Sequence, residues 1–214
     1  MIHHKKSVSY STSNTYETLN EITPRTKNIW VVVHGMGFLS RFFLKPFQRL
    51  NMEENYFIAP QAPSKYYLKN DFKYVGASWL TKEDTQSEIE NNMNYLDAVF
   101  ENESIPNNKN LVFFGFSQGV SIITRFLCRR EVRPSHLILY AGSIPNELTA
   151  GDFNHLDFKD TKVKIVCGEK DHFLTPERLK AELKKSEILF KDHAEFIKFP
   201  GGHEILPHVL RDLI

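Results

Sequence analysis

The chain lacks the features that mark disulfide-linked and membrane-spanning proteins. Two cysteines in 214 residues do not make a disulfide framework, and Cys128 and Cys167 are expected to be buried free thiols, as in a reducing compartment. No apolar run reaches the roughly 18 residues of a transmembrane helix. Residues 1–14 are polar and contain no apolar stretch of signal-peptide length. We therefore expect a cytoplasmic protein with no membrane span.

A strong excess of charge of either sign is also missing. The chain has 27 Lys and Arg against 26 Asp and Glu, a net charge of +1. Because these charges are dispersed, no broad field attracts nucleic acid. There is no H-x-x-x-H pair or cysteine cluster typical of a metal site, and no G-x-G-x-x-G or G-x-x-x-x-G-K-[ST] typical of a nucleotide site. The sequence predicts no cofactor, no metal and no nucleic-acid partner.

The pattern of apolar residues predicts one α/β domain. From residue 28 onward, apolar runs of strand length alternate with helical patterns, which indicates a mainly parallel twisted sheet with helices on both faces. Residues 28–214 form this core, and residues 1–27 add an antiparallel hairpin at one edge of the same domain. Residues 60–76 are expected to be a long aromatic loop. The predicted strands are 7–13 and 15–20 in the hairpin and 28–33, 56–59, 110–114, 136–140, 163–167 and 195–199 in the core; the predicted helices are 83–100, 120–130, 175–190 and 203–213, with another beginning near residue 45.

Residues 115–119 read Gly-Phe-Ser-Gln-Gly and lie between a predicted strand and a predicted helix. A G-x-S-x-G pattern alone is weak evidence, because it can occur by chance in a chain of this length. At a strand-to-helix corner, however, it predicts a sharp turn that holds the Ser117 hydroxyl at the end of the sheet. Ser117 is therefore the candidate nucleophile, whereas Cys128, in the middle of a predicted helix, is a much weaker alternative.

Other reactive side chains also follow predicted strands. Glu169 and Asp171 come after one strand, and His203 comes after the last one. Functional groups collect at the carboxyl ends of parallel strands. A serine hydroxyl needs a base beside it, and that base needs an acid to orient it. The order serine, acid, histidine therefore indicates a nucleophilic site with His203 as the base and Asp171 or Glu169 as the acid. His34 is expected to support the neighbouring loop instead.

Several motifs at these strand ends belong together. They are His-Gly-Met-Gly at 34–37, Gly-Phe-Ser-Gln-Gly at 115–119, Gly-Glu-Lys-Asp at 168–171 and Gly-Gly-His-Glu at 201–204, with Ala-Pro-Gln-Ala-Pro at 59–63 and Ser-Trp at 78–79. With them the chain resembles the small carboxylesterase, phospholipase and acyl-protein thioesterase branch of the α/β-hydrolases. The resemblance implies an α/β-hydrolase fold with a minimal lid or none. It also implies Ser117 as nucleophile, His203 as general base and acid, and Asp171 as its orienter.

The resemblance further implies an oxyanion hole made by the backbone N–H groups of Met36 and Gln118. Their positions support this, because Gln118 follows the serine at a predicted helix N-terminus and Met36 lies on the loop after the first core strand. Apolar side chains on nearby loops are the candidates for substrate binding, although packing in the core is the alternative role, above all for the tryptophan. These candidates are Phe38, Tyr66, Tyr67, Trp79 and Leu174.

Together these residues predict a serine hydrolase that cleaves carboxylic esters or thioesters through an acyl-enzyme on Ser117. Short to medium acyl chains are expected, because no insertion builds a deep lid, and a lid role for residues 60–76 is left open. The alternatives are a dienelactone-hydrolase-like or peptidase-like enzyme and a non-catalytic binding protein. Cysteine in place of the serine would favour the first, and a large lid or extra domain the second. A small-molecule ester is the expected partner, and the protein is expected to be a monomer or homodimer.

Overall fold

The computed structural model describes residues 1–191 and 193–214. The strands are β1 (Tyr16–Leu19), β2 (Asn28–Val33), β3 (Asn55–Pro60), β4 (Ser64–Tyr67), β5 (Val75–Ser78), β6 (Asn110–Phe116), β7 (His136–Tyr140), β8 (Lys162–Gly168) and β9 (Ala194–Phe199). The helices are α1 (Ser40–Phe43), α2 (Thr85–Asn102), α3 (Gln118–Arg130), α4 (Pro176–Phe190) and α5 (Pro207–Arg211), with 3₁₀ turns at Lys45–Arg49 and Ala150–Phe153. None of the helices in the described residues is both long and apolar enough to cross a bilayer.

The main sheet is mostly parallel and has the strand order β1-β3-β2-β6-β7-β8-β9. The strands from β3 to β9 in that order run parallel to their neighbours, and β1 pairs antiparallel with β3 at one edge. Strand β6 is central, between β2 and β7. The turn that follows β6, which contains Ser117, is therefore brought to the middle of the carboxyl edge of the sheet.

Both faces of the sheet are covered, which explains why its central strands are continuous apolar runs rather than alternating ones. Neighbouring side chains of β6 point to opposite faces: Phe113 packs with residues of α2 and α3, while Phe114 packs with α1 and α5. Each buried side chain of this size contributes about 1.5–3 kcal/mol by its removal from water. The second face is rich in aromatic rings, among them Trp30, Phe43, Phe47, Phe57, Phe114 and Phe116.

The N-terminal region differs in detail from the predicted hairpin. An antiparallel strand is added at the sheet edge, as predicted, but β1 pairs with β3 through Tyr16↔Pro60 and Leu19↔Phe57. Residues 7–13, which the structure describes, form no strand. Their two larger apolar side chains, Val8 and Tyr10, stay exposed. The open backbone groups along β3 therefore compete successfully for β1, because the segment at 7–13 has little apolar surface to bury.

The prediction of an irregular loop at 60–76 is wrong, because β4 and β5 form an antiparallel hairpin within and just beyond it. Ser64 pairs with Ser78, and the Leu68 N–H donates to the Tyr74 carbonyl at 2.8 Å. Two helices also differ from prediction. The segment after β2 is divided into α1 and a 3₁₀ turn with a proline at its start, and α5 begins at Pro207. Proline favours the first turn of a helix, so His203 is left on a loop.

Candidate active site

Ser117 occupies a tight corner between β6 and α3. Its backbone has φ 54° and ψ −118°, a conformation that costs on the order of 1–3 kcal/mol for a residue other than glycine. Hydrogen bonds hold this corner: the Ser117 N–H donates to the Tyr140 carbonyl at 2.9 Å, and the Val120 N–H donates to the Ser117 carbonyl at 3.0 Å. A Cβ at Gly119 would lie 2.1 Å from the Val33 oxygen. Only glycine allows α3 to begin this close to β2.

The side chains of Ser117, His203 and Asp171 form one hydrogen-bonded chain. The Ser117 hydroxyl lies 2.9 Å from His203 Nε2, and His203 Nδ1 lies 2.7 Å from Asp171 Oδ2. Asp171 follows β8 and His203 follows β9, so parallel neighbours in the sheet supply both. The Asp171 carboxylate is completely buried. With the imidazole proton on Nδ1, Nε2 can accept the serine proton, which is how a serine hydroxyl becomes a nucleophile.

The segment after Asp171 supports both the acid and the imidazole. The Phe173 N–H donates to Asp171 Oδ1 at 2.9 Å, and the Phe173 ring packs edge-on to the His203 ring with centroids 4.7 Å apart. Phe116 also contacts the imidazole, at 4.9 Å. Arg178 donates to the Phe173 carbonyl at 2.9 Å and to Ser143 Oγ at 2.8 Å. The sequence did not predict that Phe173 and Arg178 support the acid and the imidazole, because neither residue belongs to a motif.

The backbone N–H groups of Met36 and Gln118 have no acceptor among the hydrogen bonds of residues 1–191 and 193–214. Gln118 is the first residue of α3, where the N–H has no intrahelical partner. Met36 lies on a loop held from both sides, since the Gly37 N–H donates to the Ala77 carbonyl at 2.8 Å and the Phe38 N–H to the Gly35 carbonyl at 3.4 Å. Both N–H groups are thus available to a ligand.

His34 lies beneath this loop, in the supporting position expected for it. Its Nδ1 lies 2.8 Å from the Gly35 carbonyl, and its Nε2 accepts from the Ala62 N–H at 3.1 Å. These two bonds require a neutral ring with the proton on Nδ1. Burial lowers the pKa of His34 to about 4, because the charged form cannot be solvated there. His34 therefore stays neutral at neutral pH and holds the loop by hydrogen bonding.

Trp79 does not line a substrate groove, and its assignment as a binding residue is wrong. The side chain is 0% exposed, and its Nε1 donates to the His34 carbonyl at 2.8 Å. The Trp79 N–H donates to Gln118 Oε1 at 2.8 Å, and Gln118 Nε2 donates to the Leu80 carbonyl at 2.8 Å. The tryptophan and the glutamine side chain thus join the loop at 34–38, the candidate oxyanion loop, to the end of β5 and the start of α3.

An open groove of about 730 Å³ adjoins the candidate oxyanion donors. Its lining includes Met36, Gln118, Tyr66 and Leu80. Among the predicted substrate-binding residues only Tyr66 lies in its lining. Phe38 packs against Phe116 with ring centroids 5.8 Å apart, Tyr67 packs against Phe72 at 5.1 Å, and Leu174 is half-buried beside Phe173.

Two other chemistries find little support in the described part of the chain. No group of three or more His, Cys, Asp or Glu side chains there could hold a metal ion. Cys128 is a poor nucleophile, because burial raises the pKa of its thiol to about 12 and keeps it protonated at neutral pH. The reactive geometry is concentrated at Ser117.

Comparisons with known proteins identify the family of the chain and its fold. The phospholipase/carboxylesterase family profile matches residues 14–214. A phospholipase/carboxylesterase from Dyadobacter fermentans has a similar structure (TM-score 0.67, 23% identity, 95% of this chain and 97% of that one). So do acyl-protein thioesterase 2 from Zea mays (0.68, 16%, 94% and 96%) and a carboxylesterase from Mesorhizobium loti (0.66, 18%, 92% and 92%). At these identities the structures show a shared fold. A search of curated proteins found no match.

Proposed function

We propose, from the premise that this chain belongs to the phospholipase/carboxylesterase family, that it is a serine hydrolase cleaving carboxylic esters or thioesters. Family membership makes it an esterase-type hydrolase. The observation that carries the finer assignment is the chain of contacts from Ser117 through His203 to Asp171, at 2.9 and 2.7 Å. We further propose a preference for short to medium acyl chains, because the groove beside Met36 and Gln118 is open.

In the proposed reaction, Ser117 Oγ attacks the acyl carbonyl carbon as its proton passes to His203 Nε2. Asp171 accepts a hydrogen bond from Nδ1 and stabilises the imidazolium that forms. His203 then gives its proton to the leaving alcohol or thiol as the carbon–oxygen or carbon–sulfur bond breaks. Water attacks the acyl-enzyme in the second half, with His203 again as the base, and the free acid leaves. The whole cycle needs no cofactor.

The negative charge that develops on the carbonyl oxygen is assigned to the Met36 and Gln118 N–H groups. Their lack of acceptors among the described residues supports this role. Donors fixed in advance cost no reorganisation during the reaction, and removal of one such donor typically costs about 2.7–4 kcal/mol of barrier. The bonds that hold Gly37, Trp79 and His34 supply this rigidity.

Covalent labelling and turnover test this proposal together. Wild type, Ser117→Ala and the control Ser87→Ala, which removes an exposed hydroxyl of α2, are assayed with p-nitrophenyl butyrate and with a fluorophosphonate probe. We expect loss of labelling and a fall in kcat of at least about 10³-fold for Ser117→Ala alone. Equal labelling of the two variants would refute Ser117 as nucleophile. A wild-type protein that neither reacts with the probe nor turns over any ester would instead be a non-catalytic binding protein.

A further inference from the structure

The groove beside the oxyanion loop is lined by two lysines and, in the part of the chain that the structure describes, by no carboxylate. Lys65 enters it from β4, and Lys82 enters it from the segment between β5 and α2. Since the whole chain carries nearly equal numbers of acidic and basic side chains, this local excess of positive charge is a property of the groove. It does not follow from the net charge of the protein.

Carboxylates near this groove have other partners. Glu83 and Asp84 both pair with Lys5, and Glu88 Oε2 accepts from the Thr81 N–H at 2.5 Å and the Thr81 hydroxyl at 3.0 Å. Within residues 1–191 and 193–214, neither Lys65 nor Lys82 forms an ion pair. The one polar contact of Lys65 Nζ in that range is with Asn14 Oδ1, at 3.5 Å. Both ammonium groups are therefore available to an anion.

The position of the groove indicates which half of a substrate it receives. His203 protonates the leaving group, so the leaving group must lie on the His203 side of the reacting carbon. The groove is lined by Met36 and Gln118, whereas neither Ser117 nor His203 belongs to its lining in the described residues. It therefore extends from the oxyanion side of the site and fits the acyl half of a substrate.

The lining of the groove combines apolar and positively charged side chains. Met36, Tyr66 and Leu80 supply apolar surface, and Lys65 and Lys82 add two positive charges to the same lining. A volume of about 730 Å³ is within the range of small-molecule sites. Such a groove suits a short methylene chain that ends in an anion.

We propose that the acyl group of the substrate carries a terminal carboxylate, so that the preferred substrates are half-esters or half-thioesters of dicarboxylic acids. This inference rests on the proposed function, because it assigns a substrate class to the same site. Lys65 and Lys82 bind the distal carboxylate, while Ser117 attacks the esterified carbonyl at the other end. Hydrolysis adds water across the ester or thioester bond and releases the free dicarboxylate with the alcohol or thiol.

Pairs of substrates that differ only in the distal group test the proposal. The p-nitrophenyl half-esters of succinate, glutarate and adipate are compared with p-nitrophenyl esters of the monocarboxylic acids of equal chain length. We expect wild type to prefer one or more half-esters in kcat/KM, and expect that preference to fall with added NaCl, because partly exposed charges are screened. A wild type that prefers the neutral ester of every pair at low salt would overturn the proposal.

Variants then assign the preference to the two lysines. Lys65→Gln and Lys82→Gln should each reduce the half-ester preference by about 2- to 5-fold, and the double variant by about 5- to 20-fold, mainly through KM, as expected for partly exposed ion pairs. Lys65→Arg and Lys82→Arg keep the charge and should restore most of the preference. Lys69→Gln is the matched control, since it removes a lysine from the same hairpin but outside the groove lining. An unchanged preference in the double glutamine variant contradicts the proposal.

A binding measurement separates this inference from the proposed function. Adipate is titrated into Ser117→Ala by calorimetry, with and without the two Lys→Gln substitutions, so the result does not depend on turnover. Binding that weakens at least about 5-fold when the lysines are removed supports the groove assignment, even if no ester is hydrolysed. If neutral esters are hydrolysed normally but the affinity for adipate is unchanged by the two Lys→Gln substitutions, the inference about the distal carboxylate is refuted. The proposed hydrolase function would still stand.

Discussion

Replacing Phe173 by alanine separates the effect of its ring from that of its backbone. The backbone N–H to Asp171 Oδ1 and the carbonyl contact to Arg178 both remain, because neither involves the side chain. What is lost is the edge-on packing against the His203 imidazole, with centroids 4.7 Å apart. This contact limits rotation of the imidazole. It also places the Phe173 ring beside the positive charge that the imidazole gains when it takes the serine proton.

The size of the effect follows from this contact. Aromatic pairs contribute about 0.5–1.5 kcal/mol beyond their buried area, and each 1.36 kcal/mol in the barrier is tenfold in rate. We therefore expect kcat to fall by about 2- to 13-fold in Phe173→Ala, with KM nearly unchanged. Phe173→Tyr keeps the ring and should restore most of the rate. Because the side chain is 53% exposed, the melting temperature should change little.

The assay is steady-state hydrolysis of p-nitrophenyl butyrate, with thermal unfolding followed on the same samples. Phe42→Ala is the matched control: Phe42 is 51% exposed, packs near Arg41 and Lys45, and does not touch the imidazole in the described contacts. If Phe173→Ala retained the wild-type kcat, or lost no more than Phe42→Ala, the ring would have no role in positioning His203. A loss carried entirely by KM would indicate a substrate contact instead.

Three further predictions concern the acid, the glycine at the corner and the buried histidine. Asp171→Asn should keep the fold but favour the wrong imidazole tautomer, lowering kcat by about 10⁴-fold at neutral pH; steady-state kinetics checks it. Gly119→Ala would place a Cβ 2.1 Å from the Val33 oxygen, so urea unfolding should show a loss of about 1–3 kcal/mol or more. The pKa of His34 is lowered from 6.5 to about 4 in the folded protein. Its contribution to stability is therefore complete above pH 6.5 and is lost as the pH falls towards 4, by about 3 kcal/mol in all.

For each of these predictions one result would contradict the reasoning. An Asp171→Asn protein with wild-type kcat and an unchanged unfolding curve would remove the carboxylate from the mechanism. For the glycine, Gly151→Ala is the comparison, because a Cβ there would meet its nearest atom at 3.5 Å; equal losses in the two variants would refute the steric argument. For His34, His34→Gln should show a smaller loss of unfolding free energy between pH 6.5 and 4. Parallel pH curves for wild type and variant would contradict the assigned cause.

The segments that form the core strands, and the positions of the reactive groups along the chain, were predictable from the sequence alone. Central strands buried on both faces must be continuous apolar runs, so β2, β6 and β7 were recognisable without partners. The Gly-Phe-Ser-Gln-Gly corner was also recognisable, because the tight turn at the serine requires glycines within a few residues of it. Since parallel strands present their carboxyl ends at one edge, the meeting of Ser117 and His203 could be predicted from their positions after strands.

Features that depend on competition between segments far apart in the chain could be established only from the folded structure. The antiparallel strand β1 could pair with 7–13 or with β3, and the open edge of β3 prevailed because the other segment buries almost nothing. Trp79 could line a groove or support the candidate oxyanion loop at 34–38; hydrogen bonds to the His34 carbonyl and to Gln118, far along the chain, fix it in the core. Phe173 and His203 are likewise far apart in the chain, and their rings come into contact only in the folded sheet. Propensity and motif spacing describe a few neighbouring residues, whereas these contacts exist only once the whole sheet has brought remote segments together.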